Sequence, residues 1–368
     1  MSRYSSSSRA RMRVSFTCMA LALVCAGALS ACGPGGPKPK TADDGGGNGG
    51  NSSPSSGITV LAGAAVQNAS VNGKGSAARF DTPRGIAVDA AGNLYVADEG
   101  NRLIRKITPD GTVATFAGSG LSVTRDGTGA NAAFADPTAI AIDSGGNLFV
   151  TDAYVIRKIT PTAVVTTLAG TALGNDKRSQ PAGIAVDASG NLFVTTSVDT
   201  RRFAVNNNRL ATPAYLEQGN AFDYGLGVES NTLAPRGIAV DSNRVANVAD
   251  LNNTVSYARA GSNVLTHLAG ASGAVGAADG ASGVASFGQL VALTVDKDGT
   301  LYAADARNNT IRKITVDGVT STLAGRAGSN ALVTGGLPGS LANVAGIAVD
   351  ANGMLYVTSG NAVVKIVP

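Results

Sequence analysis

Residues 83–118 read PRGIAVDAAGNLYVADEGNRLIRKITPDGTVATFAG, and this unit recurs along the chain. The second copy, residues 137–170, reads PTAIAIDSGGNLFVTDAYVIRKITPTAVVTTLAG. Further copies open at residues 181, 235, 290 and 344, and the third loses the pattern after Thr196. Self-similarity of this kind is the sequence signature of a repeat architecture, so one repeating fold is predicted for residues 57–368.

Each copy contains four short stretches of strand-forming residues, here named strands a to d from the inside outward. In the first copy they are GIAVD, LYVAD, LIRKI and VATFAG, with DAAGN between strands a and b and PDG between strands c and d. Short strands at regular spacing, separated by Asp, Asn and Gly turns, indicate an all-β fold. Six such copies predict a six-bladed β-propeller of four-stranded antiparallel blades.

The two ends of the repeat array complement each other. The sixth copy stops after strand c, at residues 363–367, and residues 57–63, GITVLAG, form an isolated strand d at the other end. We therefore expect the N-terminal strand to complete the last blade, which closes the ring and leaves no open edge between blades.

The PxGIAVD opening, the GNLYVAD hairpin and the NxxIRKI strand resemble the NHL-repeat family of β-propellers. The resemblance extends over nearly all of residues 57–368 and recurs six times. It implies a propeller fold. For function it implies little, because the family contains binding modules together with a few lyases and hydrolases.

The first 31 residues have the features of a targeting segment. A basic start, Arg3 to Arg13, precedes an apolar run, Val14 to Leu29, that is too short for a comfortable membrane span. The run ends in Leu-Ser-Ala-Cys, which resembles a bacterial lipobox with Cys32 as the acylated residue. An ordinary signal peptide or an uncleaved anchor are the alternatives. We predict a secreted lipoprotein, held to a membrane (most simply the outer membrane) through Cys32.

The predicted domain organisation is a signal peptide at 1–31, a lipidated cysteine and flexible linker at 32–56, and the propeller at 57–368. Removal of the signal removes four arginines, Cys18 and Cys25, which leaves 25 basic and 25 acidic residues and no disulfide. This balance argues against a nucleic-acid partner, because such sites need clustered, uncompensated basic residues.

The sequence offers no catalytic or metal-binding motif, and no cofactor is expected. The single histidine, His267, falls on strand d where other copies have threonine, as a surface residue would. Six aspartates close strand a and are predicted to cap the a–b turn: Asp89, Asp143, Asp187, Asp241, Asp296 and Asp350. Three arginines of strand c, Arg105, Arg157 and Arg312, are predicted to pair with carboxylates between blades at the surface.

The b–c turns and the d–a crossovers share one face of a propeller, and this face collects the departures from the repeat. Phe80, Phe134 and Phe287 are predicted to anchor the crossovers, and residues 197–234 form an irregular segment. The candidate binding face consists of Arg84, Asp98, Arg125, Asp126, Asp152, Arg236, Asp250, Asp305, Phe222 and Tyr224. Mixed charge with a few aromatic residues is typical of a recognition surface, although unconstrained loops also drift in this way.

These features favour a non-enzymatic binding or scaffolding lipoprotein of the cell envelope whose ligand is a protein, a glycan or a polymer. The alternative is a lactonase-like propeller hydrolase or lyase that acts at the channel mouth. A third possibility is a sensor or assembly subunit. Convergent carboxylates with an asparagine on strands a would favour the enzyme.

Overall fold

The computed structural model describes residues 56–169, 180–196, 200–206, 209–211, 235–250, 252–259 and 266–368. These residues form six antiparallel sheets, in each of which strands a, b, c and d lie side by side from one edge to the other. In blades one and two, a two-residue strand of the crossover, Gly73–Lys74 or Gly127–Thr128, adds a fifth strand beside strand d. Strand a of each blade contacts strand a of the next blade, and strand a of the sixth blade contacts strand a of the first. The predicted all-β propeller is confirmed. The predictions for residues 1–55, including Cys32, lie outside the described residues.

Strands a are Pro83–Val88, Pro137–Ile142, Pro181–Val186, Ile238–Val240, Leu290–Val295 and Val344–Val349. Strands b are Leu94–Asp98, Leu148–Asp152, Leu192–Thr196, Ala246–Ala249, Leu301–Asp305 and Leu355–Ser359. Strands c are Leu103–Ile107, Val155–Ile159, Thr200–Asn206, Val255–Ala258, Thr310–Ile314 and Ala362–Val367. Strands d are Thr112–Ala117, Val164–Ala169, Arg209–Ala211, Thr266–Ala269, Thr320–Gly325 and, for the sixth blade, Gly57–Gly63. Blade three thus keeps strands c and d although its sequence pattern fades.

The N-terminal strand closes the ring as predicted. Gly57–Gly63 pairs antiparallel with Ala362–Val367, from Gly57 opposite Val367 to Gly63 opposite Ala362. Ile58 and Ala62 on this strand are fully buried, so the closure is a packed interface as well as a hydrogen-bonded one. The crossover before blade six adds a second partner, because the Ile58 amide donates to the Gly335 carbonyl at 2.8 Å.

The core lies between the blades. Tyr302 and Ala304 of blade five share a buried cluster with Ile347 and Val357 of blade six, and the other blades are joined in the same manner. Every residue of strand b is buried in all six blades, since these strands are covered on both faces. The blades therefore stabilise one another, and no blade buries its apolar faces alone.

The a–b turns are capped as predicted. In blade one, Asp89 Oδ1 accepts from the amides of Ala91 and Asn93 at 3.0 and 2.8 Å. Equivalent bonds form at Asp143, Asp187, Asp241, Asp296 and Asp350. These six carboxylates hold hairpins on the face opposite the crossovers, which explains their recurrence without any role in ligand binding.

The crossovers are pinned to the blades by buried arginines. In blade one, Arg105 Nη1 donates to Asp98 Oδ2 at 2.8 Å, and Nη2 reaches the crossover at the Val71 carbonyl and Asn72 Oδ1. Its guanidinium carbon lies 5.2 Å from the centre of the Phe80 ring. Blades two and five repeat this arrangement with Arg157 on Phe134 and Arg312 on Phe287.

Two predictions made from the sequence concern this network of buried arginines. Phe80, Phe134 and Phe287 are fully buried and anchor the crossovers, as expected. The prediction that the strand-c arginines form exposed pairs between blades is wrong. Arg105 and Asp98 belong to adjacent strands of one blade and are both fully buried, because the crossover folds over them. Within the described residues, no helix is both long and apolar enough to cross a membrane.

Candidate functional site

A pocket of about 760 Å³ opens where strands a begin, at the end of the central channel on the crossover face. Its wall is built from the same three positions of all six strands a. The first of these positions holds Arg84, Thr138, Ala182, Arg236, Val291 and Ala345. The next is small, Gly85, Ala139, Gly183, Gly237, Ala292 and Gly346, and the third is aliphatic, Ile86, Ile140, Ile184, Ile238, Leu293 and Ile347. The pocket thus has a variable rim and a uniform apolar floor.

Small residues are required in the middle layer because adjacent strands a approach closely. A Cβ atom on Gly346 would overlap the carbonyl oxygen of Arg84, and one on Gly183 would overlap that of Arg236. A threonine completes each contact. Thr358 Oγ1 donates to the Arg84 carbonyl at 2.8 Å, and Thr195 Oγ1 donates to the Arg236 carbonyl at 2.8 Å. The backbones of the two arginines are therefore fixed in the same way.

The two arginines lie on opposite sides of the ring. Arg84 begins strand a of blade one and Arg236 precedes strand a of blade four, three blades away in a ring of six sheets. Both line the same pocket. The sequence prediction that these two residues share the channel side of the crossover face is therefore met by the structure.

Arg84 has a partner inside the pocket. Its Nε donates to Oε2 of Glu99, and both residues line the cavity. Burial raises the pKa of Glu99 above its ordinary value of 4.5; the positive charge of Arg84 opposes that shift and the nearby carboxyl group of Asp136 adds to it. The side chain of Arg84 remains 55% exposed.

Arg236 differs from Arg84 in this respect. Its backbone is bonded on both sides, to the Ala249 carbonyl and to Thr195, but no side chain among the described residues pairs with its guanidinium. Three amide side chains line the pocket without a hydrogen bond of their own in the described part of the chain: Gln180, Gln289 and Asn343. The rim therefore offers a free cation and several free donors and acceptors.

Four predicted binding residues are internal. Asp98, Asp152 and Asp305 are fully buried, and Asp250 is 9% exposed. Burial raises the pKa of Asp98 and of Asp152, against hydrogen bonds that favour the ionised carboxylate. Their oxygens bind the strand-c arginines, crossover amides or, at Asp250, Thr254. The prediction that they form part of a ligand-contacting face is corrected, because Asp98, Asp152 and Asp305 bind the crossovers that cover them and Asp250 caps its own b–c turn.

Two further candidates, Arg125 and Asp126, do not line the pocket. Asp126 binds Arg157 Nη2 and Thr167 Oγ1, which places it at the outer strand of blade two. Arg125 donates to the Asn131 carbonyl in the same crossover. Phe222 and Tyr224 lie outside the described residues. Of the residues in the predicted binding face, the structure places Arg84 and Arg236 in one pocket.

Sequence reasoning missed Glu99. In blade one the residue after strand b is Glu99, where three other blades have Ala153, Ala306 and Gly360. This departure from the repeat is the same kind of signal that identified Arg84. Glu99 directly follows Asp98, whose recurrence in other blades is the more conspicuous pattern in the sequence.

His267 lies exposed on strand d of blade four, as predicted. Among the described residues, no group of three or more His, Cys, Asp or Glu side chains is arranged to hold a metal ion. The carboxylate that lines the pocket, Glu99, belongs to a b–c turn, and its neighbour Asp136 belongs to a crossover. They are not on strands a, where convergent carboxylates would have favoured an enzyme.

Solved structures resemble the chain in fold. A protein of unknown function from Bacteroides thetaiotaomicron aligns with a TM-score of 0.67 at 19% identity, over 84% of this chain and 75% of that one. An auxiliary nutrient binding protein from the same organism gives 0.65 at 15%, over 84% and 76%. A gluconolactonase from Xanthomonas campestris gives 0.54 at 13%, over 84% and 88%. No curated protein matches the chain significantly.

The ring of sheets and its central pocket define a β-propeller. Residues 80–107 match the family model of the NHL repeat. The chain therefore contains an NHL repeat within a β-propeller fold, in agreement with the resemblance seen in its sequence.

Proposed function

We propose that the protein is a lipid-anchored binding protein of the bacterial cell envelope that takes its ligand at the pocket of the crossover face. The main support for this proposal is the pocket itself. It has Arg84 and Arg236 at its rim, and a layer of small residues and a layer of aliphatic residues beneath them. Its volume of about 760 Å³ lies within the range of ligand sites. The fold shared with an auxiliary nutrient binding protein is consistent with such a role.

One observation favours the alternative, a hydrolase or lyase at the channel mouth. Glu99 lines the pocket with a raised pKa and has a second carboxyl group, Asp136, beside it. Such a group can act as a general acid. The fold shared with a gluconolactonase is compatible with either role. Recovery of bound ligand unchanged after prolonged incubation would support binding, and recovery of a product would support catalysis.

The binding proposal predicts a face-specific loss of affinity. Residues 57–368 are screened against neutral and acidic saccharides and short peptides by thermal shift, and hits are measured by calorimetry. For any hit, the double variant Arg84→Glu, Arg236→Glu should weaken binding about tenfold or more, because reversed charges line the site. The matched control Arg244→Glu, Lys297→Glu changes the same charge on the opposite face and should bind normally. Affinity that is lost only in the control would refute the proposed site.

The lipid anchor predicts a separate result. Cys32→Ala should abolish labelling by radioactive palmitate and move the protein from the membrane to the soluble fraction, because durable attachment needs the acyl chains. Cys25→Ala, inside the predicted signal peptide, should keep both label and location. Unchanged labelling of Cys32→Ala would exclude the anchor.

A further inference from the structure

We propose that the ligand is an acidic, hydroxyl-rich molecule, of the class of uronic-acid oligosaccharides, whose carboxylates are bound between Arg84 and Arg236. This inference rests on the proposed binding function and names the ligand class of the same pocket. It also assigns Glu99 a role: its carboxylate pairs with Arg84 in the absence of ligand and competes with the ligand carboxylate for that arginine.

The first step is the duplicated placement of the arginines. At two opposite points of the ring, a glycine and a threonine of one blade contact the backbone carbonyl of an arginine in the next blade. The amides of Gly346 and Gly183 each donate to their threonine at 2.7 Å, and each threonine donates to an arginine carbonyl. Two arginines whose backbones are fixed alike at opposite points of one pocket suit a ligand that carries more than one acidic group.

The second step is the anion that the structure already contains. Glu99 places a carboxylate against the guanidinium of Arg84 in the cavity. Arginine binds carboxylates with directed, charge-assisted hydrogen bonds, and the Glu99 contact shows that the Arg84 guanidinium is accessible to such a group. Arg236 offers the same chemistry with no side-chain partner in the described residues, so an incoming carboxylate binds there first.

The third step is the neutral lining. Gln180, Gln289 and Asn343 each come from a different blade and present amides that have no side-chain hydrogen bond within the described part of the chain, and Thr82 adds a hydroxyl group. Amide and hydroxyl groups that surround a charged pair recognise a ligand rich in hydroxyls. A cavity of about 760 Å³ has room for several sugar units.

Glu99 makes binding depend on pH. The charged groups that face it are Arg84 and Asp136. Since burial raises the pKa of Glu99 above 4.5, Glu99 takes up a proton at a higher pH than an exposed glutamate does, and Arg84 then becomes free. A sugar carboxylate without such burial stays ionised where Glu99 is already protonated. Affinity for an acidic ligand should therefore rise as the pH falls.

The test is calorimetry of residues 57–368 with tri-galacturonate, its methyl ester, and inorganic phosphate. Tri-galacturonate should bind, and the uncharged ester and phosphate should bind at least about tenfold more weakly, because only the first combines carboxylates with hydroxyls. Arg236→Gln should weaken tri-galacturonate about tenfold or more, and Arg84→Gln should weaken it less. Lys297→Gln, on the opposite face, is the matched control and should bind normally.

The Glu99→Gln variant supplies the second readout. It removes the competing charge but keeps the shape, so it should bind tri-galacturonate more tightly than the wild type at pH 7, and its affinity should depend less on pH than that of the wild type. Thermal unfolding checks that each variant is folded.

Three results would overturn the inference: no binding of tri-galacturonate, equal binding of the ester, or tighter binding of phosphate. If the neutral ester binds and the Arg84→Glu, Arg236→Glu variant loses it, the binding function stands and the ligand class is wrong. If no probe and no member of the wider panel binds at this face, the proposed function fails with it.

Discussion

Replacing Arg105 with methionine is expected to lower the free energy of unfolding by about 3–5 kcal/mol, because it leaves a buried carboxylate without its cation. The guanidinium of Arg105 binds Asp98, the carbonyls of Val71 and Arg79, and Asn72, and it is fully buried. Methionine fills much of the volume but donates no hydrogen bond, so the crossover loses its attachment as well.

Two controls sharpen this prediction, which is measured by urea unfolding. Lys74→Met removes a cation from the exposed pair with Asp110, whose side chains are 66% and 55% exposed, and should cost less than about 1 kcal/mol. The double variant Arg105→Val, Asp98→Ser installs the residues of blade six, Val364 and Ser359, which occupy the same positions there. It should be more stable than Arg105→Met, since no unpaired charge remains. A single variant as stable as the Lys74 control would show that the buried pair does not hold the crossover.

Blade six explains why this comparison is informative. Where blade one has the Arg105–Asp98 pair over Phe80, blade six has Val364, Ser359 and the buried Leu341. Ser359 Oγ still bonds the crossover at the Ala342 carbonyl, at 2.9 Å. The fold therefore permits an apolar solution at this position, and the charged network is one of two ways to attach a crossover.

The repeat predicted the parts of the fold that local chemistry determines. The aspartate caps follow from a turn formed within five residues, and ring closure follows from a missing strand at one end and a spare strand at the other. The third blade shows the limit, because Thr200–Asn206 and Arg209–Ala211 form strands c and d without the repeat residues. Thr200–Asn206 pairs with Leu192–Thr196, and Arg209–Ala211 pairs with Thr200–Asn206. Pairing between strands of this kind leaves no local signature in the sequence.

The candidate site was only partly predictable. Arg84 and Arg236 were found because they break the repeat at the start of strand a, and the structure places both in the pocket. Asp98, Asp152 and Asp305 were misplaced because the pattern shows which strand carries a residue but not what covers it. The crossovers that bury these carboxylates vary in sequence and length, so their path over the blades could not be derived from periodicity.

Deletion of residues 57–63 is expected to have the largest effect on the propeller. These residues supply the whole of strand d of blade six, so their loss exposes the backbone of Ala362–Val367 and opens the ring. It also removes Ile58 and Ala62 from the clusters that join blade six to blades five and one. An unpaired edge at the outer rim of the propeller invites pairing between molecules. We expect aggregation during size-exclusion chromatography and loss of a single cooperative unfolding transition.

The N-terminal strand, Gly57–Gly63, contributes both buried side chains and backbone pairing, and different variants test the two contributions separately. Ile58→Ala should cost about 2–5 kcal/mol, because Ile58 is fully buried. Val60→Ala, at a position on the same strand that is 40% exposed, should change stability by about 0.5 kcal/mol or less. A synthetic peptide of residues 57–63, added to the deleted protein, should restore the monomer by strand addition. A deleted protein that stays monomeric and equally stable would show that closure does not depend on this strand.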